Sequence, residues 1–240
     1  NCDERHNCKS NNRCDDCSYG QFCPGDCAKC LEYIHYPSHA ETNAPKRKYD
    51  CTHMADFYMC KYSYRYTSEI IYALEWMPSL SSEKNLKVLS FGCGPCTDLF
   101  AIDYLRVSGK LCYQILDYSR DVWNFIHNDI KSFDNNQIRI SFHYRDMCEV
   151  IDNISQGRWR PNLIVFQYVF SDMNKHTDHC RIEEFIDKFS SYYNEKCEAG
   201  TYIIINDINL NNSRGGGRDY FEKLHQKLVG VHCVRGHFFK

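Results

Sequence analysis

No run of the sequence approaches the roughly eighteen apolar residues of a membrane helix. With a mean hydropathy of −0.58, an integral membrane protein built of helices is excluded. Neither sign of charge dominates: 29 Lys and Arg against 31 Asp and Glu leave a net charge of −2. That excludes a strongly basic nucleic-acid binder while allowing a local basic face. The opening NCDERHNCKSNN has no apolar stretch of the kind a secretion signal needs. Disorder is excluded too, because 43% of residues are hydrophobic and 25% charged. The 240 residues suffice for one substantial domain and a small accessory one.

The first sixty residues lack aliphatic side chains. Leu31 and Ile34 stand nearly alone there, and Tyr and Phe supply most of the apolar surface. Such a segment needs a cross-link to fold. Nine of the sixteen cysteines lie in it, with His6, His35, His39 and His53 interspersed. Zinc is the first expectation, from the Cys14-x2-Cys17 and Cys27-x2-Cys30 pairs, because each such turn holds two thiolates about one tetrahedral edge apart. The expected ligands are Cys8, Cys14, Cys17, Cys23, Cys27, Cys30, Cys51, His53 and Cys60, enough for two or three structural ions. Two alternatives stay open. Cys23-x3-Cys27-x2-Cys30 also suits an iron–sulfur cluster, and disulfides would suit an oxidising compartment. The zinc reading implies a reducing, cytoplasmic one. The remaining seven cysteines are scattered singly, as small buried hydrophobes are.

From about residue 65 apolar runs alternate with amphipathic stretches. Strands are expected at Asn85–Phe91, Leu111–Leu116, Ile138–Tyr144, Asn162–Phe170 and Thr201–Asn206. Helices are expected at Thr67–Met77 (capped by Thr67 or Ser68), Thr97–Val107, Arg120–Phe133, Arg181–Tyr193 and Arg218–Val229, with a last extended piece at Val231–Phe239. Tyr62, Tyr64 and Tyr66 alternate like a strand face or a loop lining. This pattern predicts an α/β domain over 65–240: a mostly parallel, Rossmann-like sheet with helices on both faces, preceded by a zinc-stabilised module over 1–64. Ligands of such a sheet bind at the carboxyl ends of the strands.

The residues at those ends are suggestive. Gly92-Cys93-Gly94 follows the first strand and allows a ligand close approach to backbone N–H groups. Thr97 stands where a dinucleotide fingerprint has a third small residue, which disfavours NAD. Asp117 follows the second strand, where an acid accepts from both ribose hydroxyls, and Asp146-Met147 follows the third. Taken singly, either acid also reads as a helix cap or turn residue.

In order, VLSFGCGPCTDL, ILDYS, YRDM, LIVFQYVFSDM and TYIIIND resemble a class I S-adenosylmethionine-dependent methyltransferase over roughly residues 65–240. The resemblance implies that Gly92 and Gly94 face the methionine part of the cofactor, Asp117 the ribose, and Asp146 with Met147 the adenine. Gln167 to Met173 would line the transfer site, and Tyr64, Arg65 and Tyr66 would lie near the cofactor carboxylate. Two departures stand out. Ser90 occupies the place of an acid common in the family, for which Asp98 is a partial substitute, and the usual final hairpin is short, missing or cut away.

Methyl transfer from a sulfonium needs alignment and exclusion of water more than acid–base help. The Asn/Asp-Pro-Pro-Tyr motif of enzymes acting on base amines is absent after the fourth strand. Asp172, Tyr168 and His176 are the candidate catalytic residues in its place. RNA or a small molecule is the expected acceptor, with protein a third choice. Lys46, Arg47, Lys48, Lys61, Arg65 and the Arg214-to-Arg218 loop favour RNA, and near-neutral overall charge favours a small molecule. Readings from other classes are a non-catalytic cofactor-binding interaction module and an iron–sulfur redox protein.

Overall fold

The computed structural model describes residue 19 and residues 22–81, 83–105 and 109–236. The elements, in chain order, are α1 (Cys27–His35), α2 (Thr52–Glu75), α3 (Pro78–Ser81), β1 (Asn85–Phe91), α4 (Thr97–Leu105), β2 (Lys110–Asp117), α5 (Arg120–Lys131), β3 (Ile138–Tyr144), α6 (Met147–Gln156), β4 (Leu163–Gln167), α7 (Val169–His176), α8 (His179–Lys196), β5 (Tyr202–Asn206) and α9 (Arg218–Lys227). All five strands are parallel, in the order β3-β2-β1-β4-β5. The order reverses between β1 and β4, and a crevice opens at such a point above the strand ends.

Period-two alternation divides the strand side chains between two cores. Leu86, Val88, Tyr113, Ile115, Ile140 and Val165 face Ile70, Leu74, Leu99, Ala101 and Ile130 from α2, α4 and α5. Leu89, Phe91, Ile164 and Phe166 point the other way, toward Ile151, Phe170, Phe185, Phe189 and Leu224 from α6 to α9. Phe91 and Phe166 stack across β1 and β4 with ring centroids 4.7 Å apart. The expected α/β class with helices on both faces is the observed one.

Four expectations differ from the structure. The helix expected at Thr67 starts at Thr52, so Tyr62, Tyr64 and Tyr66 lie on a helix. Its inward face is aromatic where an aliphatic stripe is the usual signal: Tyr58, Tyr62 and Tyr66 recur every fourth residue with centroids 5.0 Å apart at each step. The module boundary at 64/65 therefore falls inside one continuous helix. The apolar run Asn162–Phe170 is strand only through Gln167, since Tyr168 turns left-handed (φ 60°) and α7 begins. Helix α6 was not expected, and residues 231–236 form no regular element. No helix among the described residues is long and apolar enough to cross a membrane.

The N-terminal segment has a small core of its own. Asp26 caps α1 by accepting from the Lys29 amide at 3.0 Å. One face of that helix buries Cys30, Leu31 and Ile34 against Cys51 and Met54. Because α2 carries Met54 at one end and Ile70 of the sheet core further on, the two cores are joined rigidly. Ile34→Ala should cost about 2–5 kcal/mol and leave a single urea transition seen alike by tyrosine fluorescence and far-UV circular dichroism. An earlier, separate transition would show that the two cores melt independently.

Candidate functional site

The crevice floor is the turn after β1. Gly92 (φ 59°), Gly94 (φ 46°) and Cys96 (φ 59°) all adopt left-handed backbone. The turn leans on β2, with the Gly92 amide donating to the Leu116 carbonyl at 2.8 Å. A Cβ on Gly92 would sit 3.0 Å from Val169 Cγ2, so glycine is required there by both sterics and φ. A Cβ on Gly94 would meet only the Trp123 ring, at 3.7 Å.

Asp117 ends β2 beside this turn. Its Oδ2 accepts from the Gly94 amide at 2.8 Å and its Oδ1 from the Ser119 amide at 2.8 Å. Oδ2 also accepts from the Cys93 thiol at 3.8 Å, so Oδ1 is the oxygen that keeps a lone pair for a ligand. Burial pushes the carboxyl up to about 6, the two amides offset part of that, and Asp172 raises it further. Asp172, on the first turn of α7, is likewise pushed up to about 6 by burial and held back by Lys175. It remains 44% exposed, so the crowding that raises it leaves it open to solvent on one side. The buried hydroxyl of Tyr49 is driven well up by burial first and then by Asp172 and Asp117 among its neighbours. Three polar groups thus converge, from the N-terminal segment, β2 and α7.

The other expected residues are placed as follows. Asp98 is buried beneath the turn and accepts from the Tyr113 hydroxyl at 2.5 Å, away from the crevice. Asp146 caps α6 through the Cys148 amide at 2.8 Å and pairs with Arg181 at 2.5 Å, both through Oδ1. Met147 packs against the core under α6. Gln167 is a brace: its amide oxygen accepts from Thr97 at 2.7 Å and its NH2 donates to the Tyr66 carbonyl at 2.8 Å. Tyr168 donates its hydroxyl to Glu69 at 2.7 Å, and burial with that carboxylate drives the phenol far up. His176 lies 3.2 Å from the Ile34 carbonyl and 3.7 Å from Asp172, and burial lowers it to about 4, so it is a neutral anchor between α7 and α1.

Residues outside the expected set, together with the expected Arg65 and Tyr66, complete the walls. Glu69, 5% exposed, accepts from Arg65 at 3.0 Å, Tyr168 at 2.7 Å and Asn206 at 2.8 Å. Tyr66 packs its ring 4.5 Å from Tyr168, and Tyr49 and Tyr58 pack on Trp123 of α5. Asp207 caps α7 through the Phe170 and Ser171 amides. A polar residue on a tyrosine-rich helix carries no sequence signal that separates Glu69 from a solvated charge.

Of the expected zinc ligands, Cys8, Cys14 and Cys17 lie outside the described residues. Cys60 is disulfide-bonded, which removes it from the metal set. Cys27, Cys30 and Cys51 are buried, and the Cys30 sulfur accepts from the buried Arg47 guanidinium at 3.2 Å. Among the described residues, Cys23, Cys27, Cys30, Cys51 and His53 form no group of three within ligand distance of one another.

Gly92→Ala should lose about 2 kcal/mol or more and Gly94→Ala about 1 kcal/mol, the difference being the Val169 contact. Urea midpoints measure both, and equal losses would show that Val169 gives way freely.

No protein-family model matches the chain, and no curated protein matches its sequence. Three solved structures similar to it in fold are each distant in sequence. An O-methyltransferase family protein from Burkholderia thailandensis is 14% identical over 68% of this chain and 44% of that one, TM-score 0.40. A Methanococcus maripaludis protein described as an S-adenosyl-L-methionine-dependent methyltransferase is 17% identical over 78% and 74%, TM-score 0.43. Human N-acetylserotonin methyltransferase, in complex with the same cofactor, is 13% identical over 80% and 62%, TM-score 0.36. The chain spans less than half of the Burkholderia protein's length.

Proposed function

We propose that the chain is an S-adenosylmethionine-dependent methyltransferase acting on a small-molecule acceptor. One observation carries this reading: at the point where strand order reverses, a glycine turn and an unpaired-for-cation carboxylate, Gly94 and Asp117, meet at 2.8 Å. The residues fit the cofactor. Asp117 and Asp172 both carry carboxyls raised to about 6 in one crevice, with Lys175 the cation that offsets Asp172. Such a crevice stabilises a ligand of net positive charge, and the cofactor carries both a sulfonium and an ammonium.

Gly92 and Gly94 would hold its methionine part, and Asp117 its ribose. Asp146 would reach the adenine through Oδ2, which neither the cap nor the ion pair uses. When bound, the cofactor supplies an electrophilic methyl whose departing thioether is neutral. The chain's own residues then have two tasks, to align an acceptor and to exclude water. The tyrosines of α2 with Tyr168 and Trp123 exclude water over the turn. Asp172, with its carboxyl near 6, is ionised at neutral pH and able to take a proton from a hydroxyl or ammonium acceptor. Tyr168 and His176 serve as supports, since one is committed to Glu69 and the other to the Ile34 carbonyl.

The basic residues that favoured RNA are partly spent inside the protein. Arg47 is buried with its guanidinium 3.9 Å from the Tyr19 ring centroid, Arg65 pairs with Glu69, and Arg218 with Asp219. This supports a small acceptor over a polynucleotide. For the N-terminal segment the reading remains a structural zinc unit, now without Cys60, whose disulfide counts against the reducing compartment that such a unit implies.

Calorimetry with S-adenosylmethionine tests the site. Asp117→Asn removes charge-assisted hydrogen bonds and should weaken binding about 10–150-fold. In the free protein the raised carboxyl holds its proton up to pH 6, and a cationic ligand favours the ionised form. Affinity should therefore fall as pH drops below about 6, by up to tenfold per unit, and be flat above 7. Titrations at pH 5.5 in buffers of different ionisation enthalpy should show proton release. Unchanged affinity in Asp117→Asn would sink the assignment. Incubation with methyl-labelled cofactor and separate pools of small metabolites and RNA should label the first pool, and labelling of RNA alone would overturn the acceptor class.

A further inference from the structure

The turn that forms the crevice floor carries a second chemistry. Cys93 and Cys96 flank Gly94-Pro95, and His127 reaches them from α5. The two sulfurs and a ring nitrogen of His127 all lie within 4.8 Å of one another, and this is the only such group of three among the described residues. All three are buried, at 7%, 0% and 2% exposure. Zinc–sulfur bonds of about 2.3 Å place tetrahedral ligands about 3.8 Å apart, so side-chain shifts of about 1 Å or less close the group around an ion. Both thiols are reduced in the structure, and their burial withholds them from the oxidants that exposed thiol pairs meet.

We propose that Cys93, Cys96 and His127 form a binding site for one zinc ion, separate from the N-terminal cysteines. Binding releases two thiol protons to solvent. His127 stays neutral: its Nε2, now 2.7 Å from the Gly94 carbonyl, turns to the metal, and the ring proton moves to Nδ1. Nδ1 lies 2.8 Å from the Tyr144 hydroxyl, which then accepts from it and fixes ring and tautomer, as outer partners of metal-bound imidazoles do. The oxygen donor at hand for the fourth position is Asp117 Oδ2, 3.8 Å from Cys93 Sγ. The ion would staple the glycine turn to α5. It would also draw on the carboxylate assigned above to the ribose, so zinc and cofactor compete; that last consequence rests on the methyltransferase reading, and the metal site does not.

The full chain, reduced and stripped of metal, is titrated with cobalt(II) and then with zinc. The signals are the thiolate-to-cobalt charge-transfer band and the tetrahedral d–d bands, with metal content counted after desalting. Cys93→Ser/Cys96→Ser should bind one equivalent less than the parent. Cys27→Ser/Cys30→Ser should keep that equivalent. His127→Gln should keep thiolate-to-cobalt bands but bind at least tenfold more weakly, with shifted d–d bands. Equal stoichiometry in the parent and the Cys93/Cys96 variant would overturn the site. So would recovery of Cys93 and Cys96 as a disulfide from zinc-loaded protein. If the double variant does not fold, His127→Gln decides alone, and an unchanged affinity and spectrum in it overturns the proposal. Competition is read separately, as a fall in cofactor affinity when one equivalent of zinc is present. Its absence alongside a positive metal count would remove Asp117 from the metal and leave the site.

Discussion

The crevice depends on one buried carboxylate. Glu69 has left water almost completely, and a carboxylate so placed needs hydrogen-bond donors on both oxygens. Arg65, Tyr168 and Asn206 supply those donors from α2 itself, the left-handed residue before α7, and the end of β5. The three bonds clamp the long helix onto the edge of the sheet where β4 and β5 finish. Gln167 repeats the tie one residue earlier, reaching the Tyr66 carbonyl and the Thr97 hydroxyl. The wall of tyrosines is thereby held above the glycine turn, with the Tyr62 and Tyr66 rings stacked at an interplanar angle of 6°.

That geometry explains the electrostatics beneath it. Helix α2 brings aromatic surface to the crevice and the segment before it the Tyr49 hydroxyl, with no guanidinium beside them: Arg65 is turned to Glu69 and Arg47 into the N-terminal core. Two carboxyls left in a crowded space with only Lys175 to oppose one of them rise together. A crevice of this kind destabilises itself when empty of cations at neutral pH, since ionisation costs more in the folded chain than in the unfolded one. Binding a positively charged ligand recovers that cost. That pairing of stability cost with ligand charge favours a cationic ligand over an anionic dinucleotide.

Much of the sheet was legible because its signals are local. Asn85–Phe91 and Ile138–Tyr144 have the expected bounds, and the glycines that end β1 adopt the backbone only glycine takes easily. The misses share a different cause. An apolar run such as NLIVFQYVF reads alike as strand or helix, and its division at Tyr168 is set by Asp207, just past β5, capping α7 through a contact 37 residues away. The start of α2 was hidden because its inner face is built of tyrosines among cysteines already read as metal donors. Asp146 shows the converse: an acid at a strand end is both a cap and a candidate ligand, and the cap is the role its Oδ1 fills.

The cysteines illustrate what spacing alone leaves open. Two C-x2-C pairs in the N-terminal segment drew the metal assignment, while the third, Cys93-x2-Cys96, was absorbed into a glycine motif. Yet a four-residue turn can offer only two thiols, and what turns a pair into a site is a third donor held at the right distance by the rest of the fold. Beside Cys30 one such neighbour is the Arg47 guanidinium, a cation that stabilises sulfur as a thiolate but competes with a metal for it. For Cys93 and Cys96 it is an imidazole 31 residues on in the chain, neutral at physiological pH because burial lowers it. The chemistry of a cysteine pair is therefore decided by the sign and softness of its third neighbour, and packing of the parallel sheet against α5 is what supplies that neighbour here.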